Sequence, residues 1–147
     1  MIKLKSYRPF ITENFTWEFP SHFKLKIASE FLDKNIAETT NFISQTAKET
    51  MSDRAVYWFV EDKQSHEISA LIALKSIDFN NSSATIFTKF DDNISKKMSL
   101  EIIQRLYVFV NDQIKLNILD MKEDESRVVK FFTDSGYEFT NNKLKRK

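Results

Sequence analysis

The chain holds one glycine, Gly136, within the run DSGYEF. An average composition over this length would supply roughly ten. Glycine lets a backbone take positive φ, or approach a phosphate with no Cβ in the way. One glycine cannot build the three-glycine dinucleotide fingerprint or the two-glycine P-loop, so both are excluded. Gly136 follows the helix-like run DESRVVKFFTDS and precedes Tyr137. It reads as a helix C-cap turning directly into a strand.

The 147 residues fit one domain, 1–147, large enough to bury a real core. Apolar residues at 41% and charged residues at 29% place the chain among soluble globular proteins. A net charge of +1 gives no global field to recruit nucleic acid or an anionic membrane. Without cysteine there is no disulfide, no thiolate nucleophile and no cysteine zinc site. His22 and His66 stand too far apart in sequence to suggest a metal site. No apolar run approaches the ~18 residues that span a bilayer. The start, MIKLKSYRPF, lacks a signal peptide's apolar block, so a cytoplasmic protein is expected. Fourteen phenylalanines imply a bulky core; they allow a homodimer, although no residue singles out an interface.

Along the chain, Ile2, Leu4 and Ser6 alternate with polar residues and suggest a half-exposed first strand, ended by Arg8-Pro9. A helix could start with Ser21 as N-cap and Phe23, Ile27, Phe31 and Leu32 inward. FKLKI within it also fits strand periodicity. A second helix is read over Glu38 to Met51, with Phe42, Ile43, Thr46, Ala47 and Thr50 inward. Beyond Arg54 the pattern sharpens. AVYWFVED, EISALIALKSID and ATIFTKF are three strands, joined by the polar turns KQSH and FNNSS into an antiparallel meander. Tyr57 and Trp58 lie on opposite faces of the first, and core packing is the favoured reading for both. Asp91-Asp92-Asn93 introduces a long amphipathic helix carrying Met98, Ile102, Ile103, Leu106, Tyr107, Val110 and Ile114. LNILDM is a short strand, Asp124 to Ser135 a helix, YEFT a last strand, and KLKRK a solvated tail. The order β-β-β-α-β-α-β implies an α/β (α+β) fold: a mixed, mostly antiparallel sheet with helices on both faces.

That succession resembles the GNAT superfamily of N-acetyltransferases, nearest the subgroup that acetylates protein N-termini, including those of ribosomal proteins. KLKSYRPF is similar to the family's first-strand pattern, and residues 58–86 to its meander. FFTDSGYEF is similar to its closing helix-to-strand signature. The resemblance implies acetyl-CoA as acyl donor and a small-molecule or peptide amine as acceptor. It implies a pyrophosphate held at the amino end of the long helix, where free amides and the macrodipole favour anions. The family's R/Q-x-x-G-x-G/A there corresponds to Ile94, Ser95, Lys96, Lys97, Met98 and Ser99, a degenerate version. Ile94 cannot donate to a phosphate, and Lys97 adds a Cβ where the family keeps bare backbone. Ser95, Lys96, Lys97 and Ser99 could hold an anion by side chains. Alternatively Asp92 or Ser95 is simply an N-cap and both lysines are solvated. Asp91 and Asp92 disfavour a nearby pyrophosphate. Ile86, Phe87 and Thr88 are the positions the resemblance places along a pantetheine arm, with plain strand packing as the equal alternative.

Catalytic groups are scarce. The family's frequent strand glutamate is matched by Thr85, its asparagine by Glu125, and its thiolate-protonating tyrosine by Phe132. Glu61, Glu67 and Asp78, with His66, remain as general-base candidates, although an exposed polar residue is the favoured reading for each. Two functions stand: an acyl-CoA-dependent N-acetyltransferase working by direct attack, and a catalytically silent interaction or regulatory module on the same scaffold.

Overall fold

The computed structural model describes residues 2–122 and 125–147. Eight strands form one sheet with the spatial order β1-β2-β3-β4-β5-β6-β8-β7. The strands are β1 Phe10–Ile11, β2 Phe15–Glu18, β3 Val56–Asp62, β4 Ile68–Asp78, β5 Ser83–Phe90, β6 Ile118–Asp120, β7 Tyr137–Thr140 and β8 Lys143–Arg146. Every neighbouring pair is antiparallel except β5 and β6. The α-helices are α1 Leu25–Leu32, α2 Ile36–Met51, α3 Lys96–Val108 and α4 Ser126–Asp134.

The strand period of two sorts β3 into two cores. Val56, Trp58 and Val60 face Ile102, Ile103 and Leu106 of α3. Phe59 faces the opposite layer, against Phe31 of α1 and Phe42 of α2, and Tyr57 faces Phe42. Both Tyr57 and Trp58 are therefore core residues. Helices on both sides also explain why β4 is buried without alternation from Ala70 to Leu74.

The ends of the chain differ from expectation. Leu4–Ser6 is a 3₁₀ turn rather than a strand, because only Leu4 is buried and its N–H donates to Asp53 Oδ1 at 2.8 Å. The opening hairpin is instead β1 and β2, with Trp17 opposite Val60 of β3. Ser21 lies in a second 3₁₀ turn, Pro20–His22, and α1 begins only at Leu25, with Ile27 outward. α2 starts two residues before Glu38. Asn35 and Glu38 form a reciprocal capping box, Asn35 Oδ1 accepting from the Glu38 amide at 2.8 Å. Its buried stripe is Thr39, Thr46 and Thr50, while Ala47 is exposed. Asp124, read as the start of the last helix, lies outside the described residues; α4 itself begins at Ser126.

The basic end is not a solvated tail. Lys143–Arg146 forms β8, inserted between β6 and β7, with Leu144 fully buried. Asn141 and Asn142, both at positive φ, make the two-residue turn that starts it. Gly136, at φ 127, joins α4 to β7 as read from sequence. The Tyr107 hydroxyl seals that corner by donating to the Ser135 carbonyl at 2.6 Å.

Candidate functional site

β5 is paired along its length with β4, from Ala70↔Phe90 to Asp78↔Ser83. With β6 it pairs only at Ser83↔Ile118, Ala84↔Leu119 and Thr85↔Asp120. The separation has a local cause: β6 ends at Asp120, and the Met121 amide donates to the Asn142 carbonyl at 2.9 Å. Ile118 donates its amide to the Ser82 carbonyl at 3.1 Å. Strand alternation therefore turns the backbone groups of Ala84, Ile86 and Thr88 to the same side. Those beyond the third pair face an opening rather than a strand. A cleft of about 300 Å³ lies there. Thr85, Phe87 and Lys75 line one wall, and Met121, Lys122 and Glu125 the other, with Ile86 and Thr88 between. The three positions expected along a pantetheine arm thus lie together on the cleft.

The approach to α3 is a capped turn. Asp91 to Ile94 is a turn, closed by the Ile94 amide donating to the Asp91 carbonyl at 3.0 Å. Ile94 is half-buried against the main core. Ser95 is the N-cap: its Oγ accepts from the Met98 amide at 3.1 Å. Ser99 is buried, and its hydroxyl donates to the Lys96 carbonyl at 2.9 Å. The amides of Lys96 and Lys97 have no protein acceptor among the described residues. Around them charge is divided. On the β4 side a polar depression is lined by Asp62, Glu67 and Asp91. On the α4 side a groove of about 360 Å³ carries Lys96, Arg127 and Lys130 over an apolar floor of Leu100, Ile103 and Phe131, with Asp134 paired to Lys130, Oδ2 to Nζ at 3.2 Å.

Arg127, which the sequence did not single out, links cleft and groove. Its guanidinium lies 4.5 Å from the centroid of Phe90, the last residue of β5. It also pairs with Glu125, Nε to Oε1 at 3.0 Å and Nη2 to Oε2 at 3.1 Å. Burial pushes the Glu125 carboxyl up, but the hydrogen bonds and charge of Arg127 outweigh it and hold the group below its ordinary value. Glu125 is consequently ionised at neutral pH and a weak proton acceptor.

The three carboxylates named from sequence do not meet at the cleft. Glu61 pairs with His66, Oε2 to Nδ1 at 2.9 Å, in the turn after β3. Glu67 lines the polar depression. Asp78 organises the β4–β5 turn: Oδ1 accepts the Asn80 and Asn81 amides at 3.0 and 3.1 Å, and Oδ2 the Asn81 carboxamide at 2.7 Å. Those bonds, the Asn81 side chain first, hold its pKa down. Phe132 is fully buried between Tyr107 and Tyr137, as an apolar ring should be. Among the described residues no cluster of His, Asp and Glu is arranged for a metal, and no helix is long and apolar enough to cross a membrane.

No family model matches the chain, and no curated protein matches it by sequence. Solved structures do match. The ribosomal-protein-S5-alanine acetyltransferase of Vibrio fischeri gives a TM-score of 0.70 at 14% identity, covering 89% of this chain and 83% of that one. A GCN5-related N-acetyltransferase of Brucella melitensis gives 0.69 at 15% identity, covering 91% and 69%. The microcin C7 self-immunity acetyltransferase MccE, solved with acetyl-CoA and AMP, gives 0.64 at 17% identity, covering 92% and 89%. At such identities the likeness concerns the fold, and the fold is that of the GNAT acetyltransferases.

Proposed function

We propose that this GNAT-fold chain is an acyl-CoA-dependent N-acyltransferase, with acetyl as the natural group, in which an amine acceptor attacks the thioester directly. The observation that carries the reading is the parting of β5 from β6 after three residue pairs, beside a helix start with open amides. Acetyl-CoA would supply an activated carbonyl and a thiol leaving group. Ile86 and Thr88 offer backbone groups for the amides of a pantetheine arm, and Phe87 the adjoining ring. The phosphates fit the α3 start by a substituted set of donors. The Lys96 and Lys97 amides would face them, and the Lys96 ammonium and the Nη1 of Arg127, which Glu125 leaves unused, would provide the cations that Ile94 does not.

The described residues of the cleft include no carboxylate free of a cationic partner, since Glu125 is tied to Arg127. Proton removal from the acceptor then falls to water, and the chain contributes mainly alignment of amine and thioester. The acceptor is an amine of a small molecule or a peptide. The ribosomal-protein acetyltransferase among the structural neighbours supports the peptide class.

A thermal titration tests the reading. Acetyl-CoA at about 100 times its dissociation constant adds ~2.7 kcal/mol to the folded state. For a chain this size that raises Tm by roughly 5–10 °C. Arg127→Met should weaken binding by about tenfold or more, the usual worth of a charge-assisted hydrogen bond. A flat Tm at millimolar acetyl-CoA would overturn the proposal and leave the silent interaction module.

A further inference from the structure

β4 runs in register with β5 as far as Lys75↔Thr85 and then shifts before Asp78↔Ser83. Within the irregularity Ser76 adopts φ 52, a left-handed conformation uncommon for serine. Bulges of this kind re-aim a neighbouring side chain and recur beside active sites. Here the neighbour is Lys75. It belongs to the β4 face that carries Ala73, the face shared with Tyr57 and Phe87. Its ammonium lies 4.7 Å from the Phe87 ring centroid and 5.8 Å from that of Tyr57. No carboxylate among the described residues forms an ion pair with it. The nearby Glu49 instead accepts the Tyr57 hydroxyl at 2.7 Å. Two aromatic faces thus hold a primary amine at the cleft wall, beside Thr85, where β5 and β6 begin to part.

We propose that Lys75 is an internal acceptor, and that the chain acetylates its own Lys75 Nζ. The inference rests on the N-acyltransferase reading and adds a modification site to it. The ammonium first gives one proton to water. The neutral Nζ then attacks the thioester carbonyl carbon, forming the N–C bond of an amide. As the C–S bond breaks, a second amine proton passes to the departing sulfur, which leaves as the free thiol. One proton is released overall, and no oxidant or further reactant is needed. The product is self-limiting. Acetyl-Lys75 is neutral, loses its attraction to Phe87 and Tyr57, and places an amide in the cleft where an external amine would enter.

The test is peptide mapping by mass spectrometry after incubating the purified chain with acetyl-CoA, alongside the urea-unfolded chain and Lys75→Arg. Folded protein should acquire one acetyl group, on Lys75, at least about tenfold faster than at any other lysine, because the amine is already positioned. The advantage should vanish in urea, and the single addition should be missing in Lys75→Arg. The rate per molecule should not change on dilution. Acetylation spread evenly over the lysines, concentrated on Lys122, or falling in proportion to protein concentration would each overturn the proposal. A Tm titration on the same samples separates the two readings. A ligand-induced rise without Lys75 acetylation sinks the internal acceptor alone, while no rise and no acetylation sinks the acyltransferase as well.

Discussion

Leu144→Ala should cost far more than its place in a lysine-rich terminus suggests. The side chain is fully buried in the main core, and its strand lies between β6 and β7 in the sheet. Leu144 lies opposite Leu119 on one side and Phe139 on the other. Truncating a buried leucine costs about 2–5 kcal/mol, depending on how far the surroundings collapse. Collapse is restricted here, because both neighbouring strands are pinned. The Arg146 amide donates to the Asn117 carbonyl at 2.8 Å, and the Lys147 amide to the Gly136 carbonyl at 3.0 Å. The upper half of the range is therefore expected, a fall in Tm of roughly 7–20 °C. Urea unfolding followed by circular dichroism should show a lower midpoint with an unchanged slope. A solvated tail would give a change within about 0.5 kcal/mol, and that result would refute the inserted strand. Lys145→Ala, on an exposed position of the same strand, is the matched control.

Other outcomes can be checked on the same material. Glu101 ties α3 to the β1–β2 turn, accepting from the Thr12 hydroxyl and from the Asn14 amide and carboxamide, the last two at 2.8 and 2.7 Å. Burial pushes its carboxyl up, yet these bonds and the Lys63 charge outweigh that and hold it below the ordinary value. A depressed folded pKa stabilises fully above the unfolded pKa and is lost as pH falls through the folded one. Glu101→Gln should flatten the acid limb of the stability curve; parallel acid limbs in the two proteins would contradict this. The double change Ile94→Arg with Lys97→Gly should tighten acetyl-CoA binding several-fold by calorimetry, since a charge-assisted hydrogen bond contributes ~1.5–3 kcal/mol against some lost Ile94 packing. Unaltered affinity would place the phosphates elsewhere.

Legibility followed the range of the interactions. The meander could be read because its strands are long, its turns polar, and its partners adjacent in sequence, as with Lys75 opposite Thr85. The hairpin β1–β2 escaped because Phe10–Ile11 is too short to show a period, and Trp17 finds its partner Val60 far along the chain. β8 escaped because one apolar residue among lysines looks solvated, although the Asn141-Asn142 turn before it carried a hairpin signal. At the site, Ile86, Phe87 and Thr88 were placed by the resemblance, since backbone exposure leaves no mark on side-chain composition. Arg127 and Lys75 left no sequence signal of their own. Each lies over an aromatic ring, Phe90 or Phe87, that only tertiary folding brings beneath it.

The order of the sheet also fixes when the cleft is completed. On the ribosome the meander, with one side of the cleft, emerges before β8 and can pair locally. The opposite side waits for β8, which follows both β6 and β7 in the chain, to slide between them. Until then the nascent polypeptide exposes an unfilled gap and the bare edge of β6, a target for proteases that the finished molecule no longer presents. A ligand that bound in this cleft would therefore stabilise only chains in which β8 is already seated.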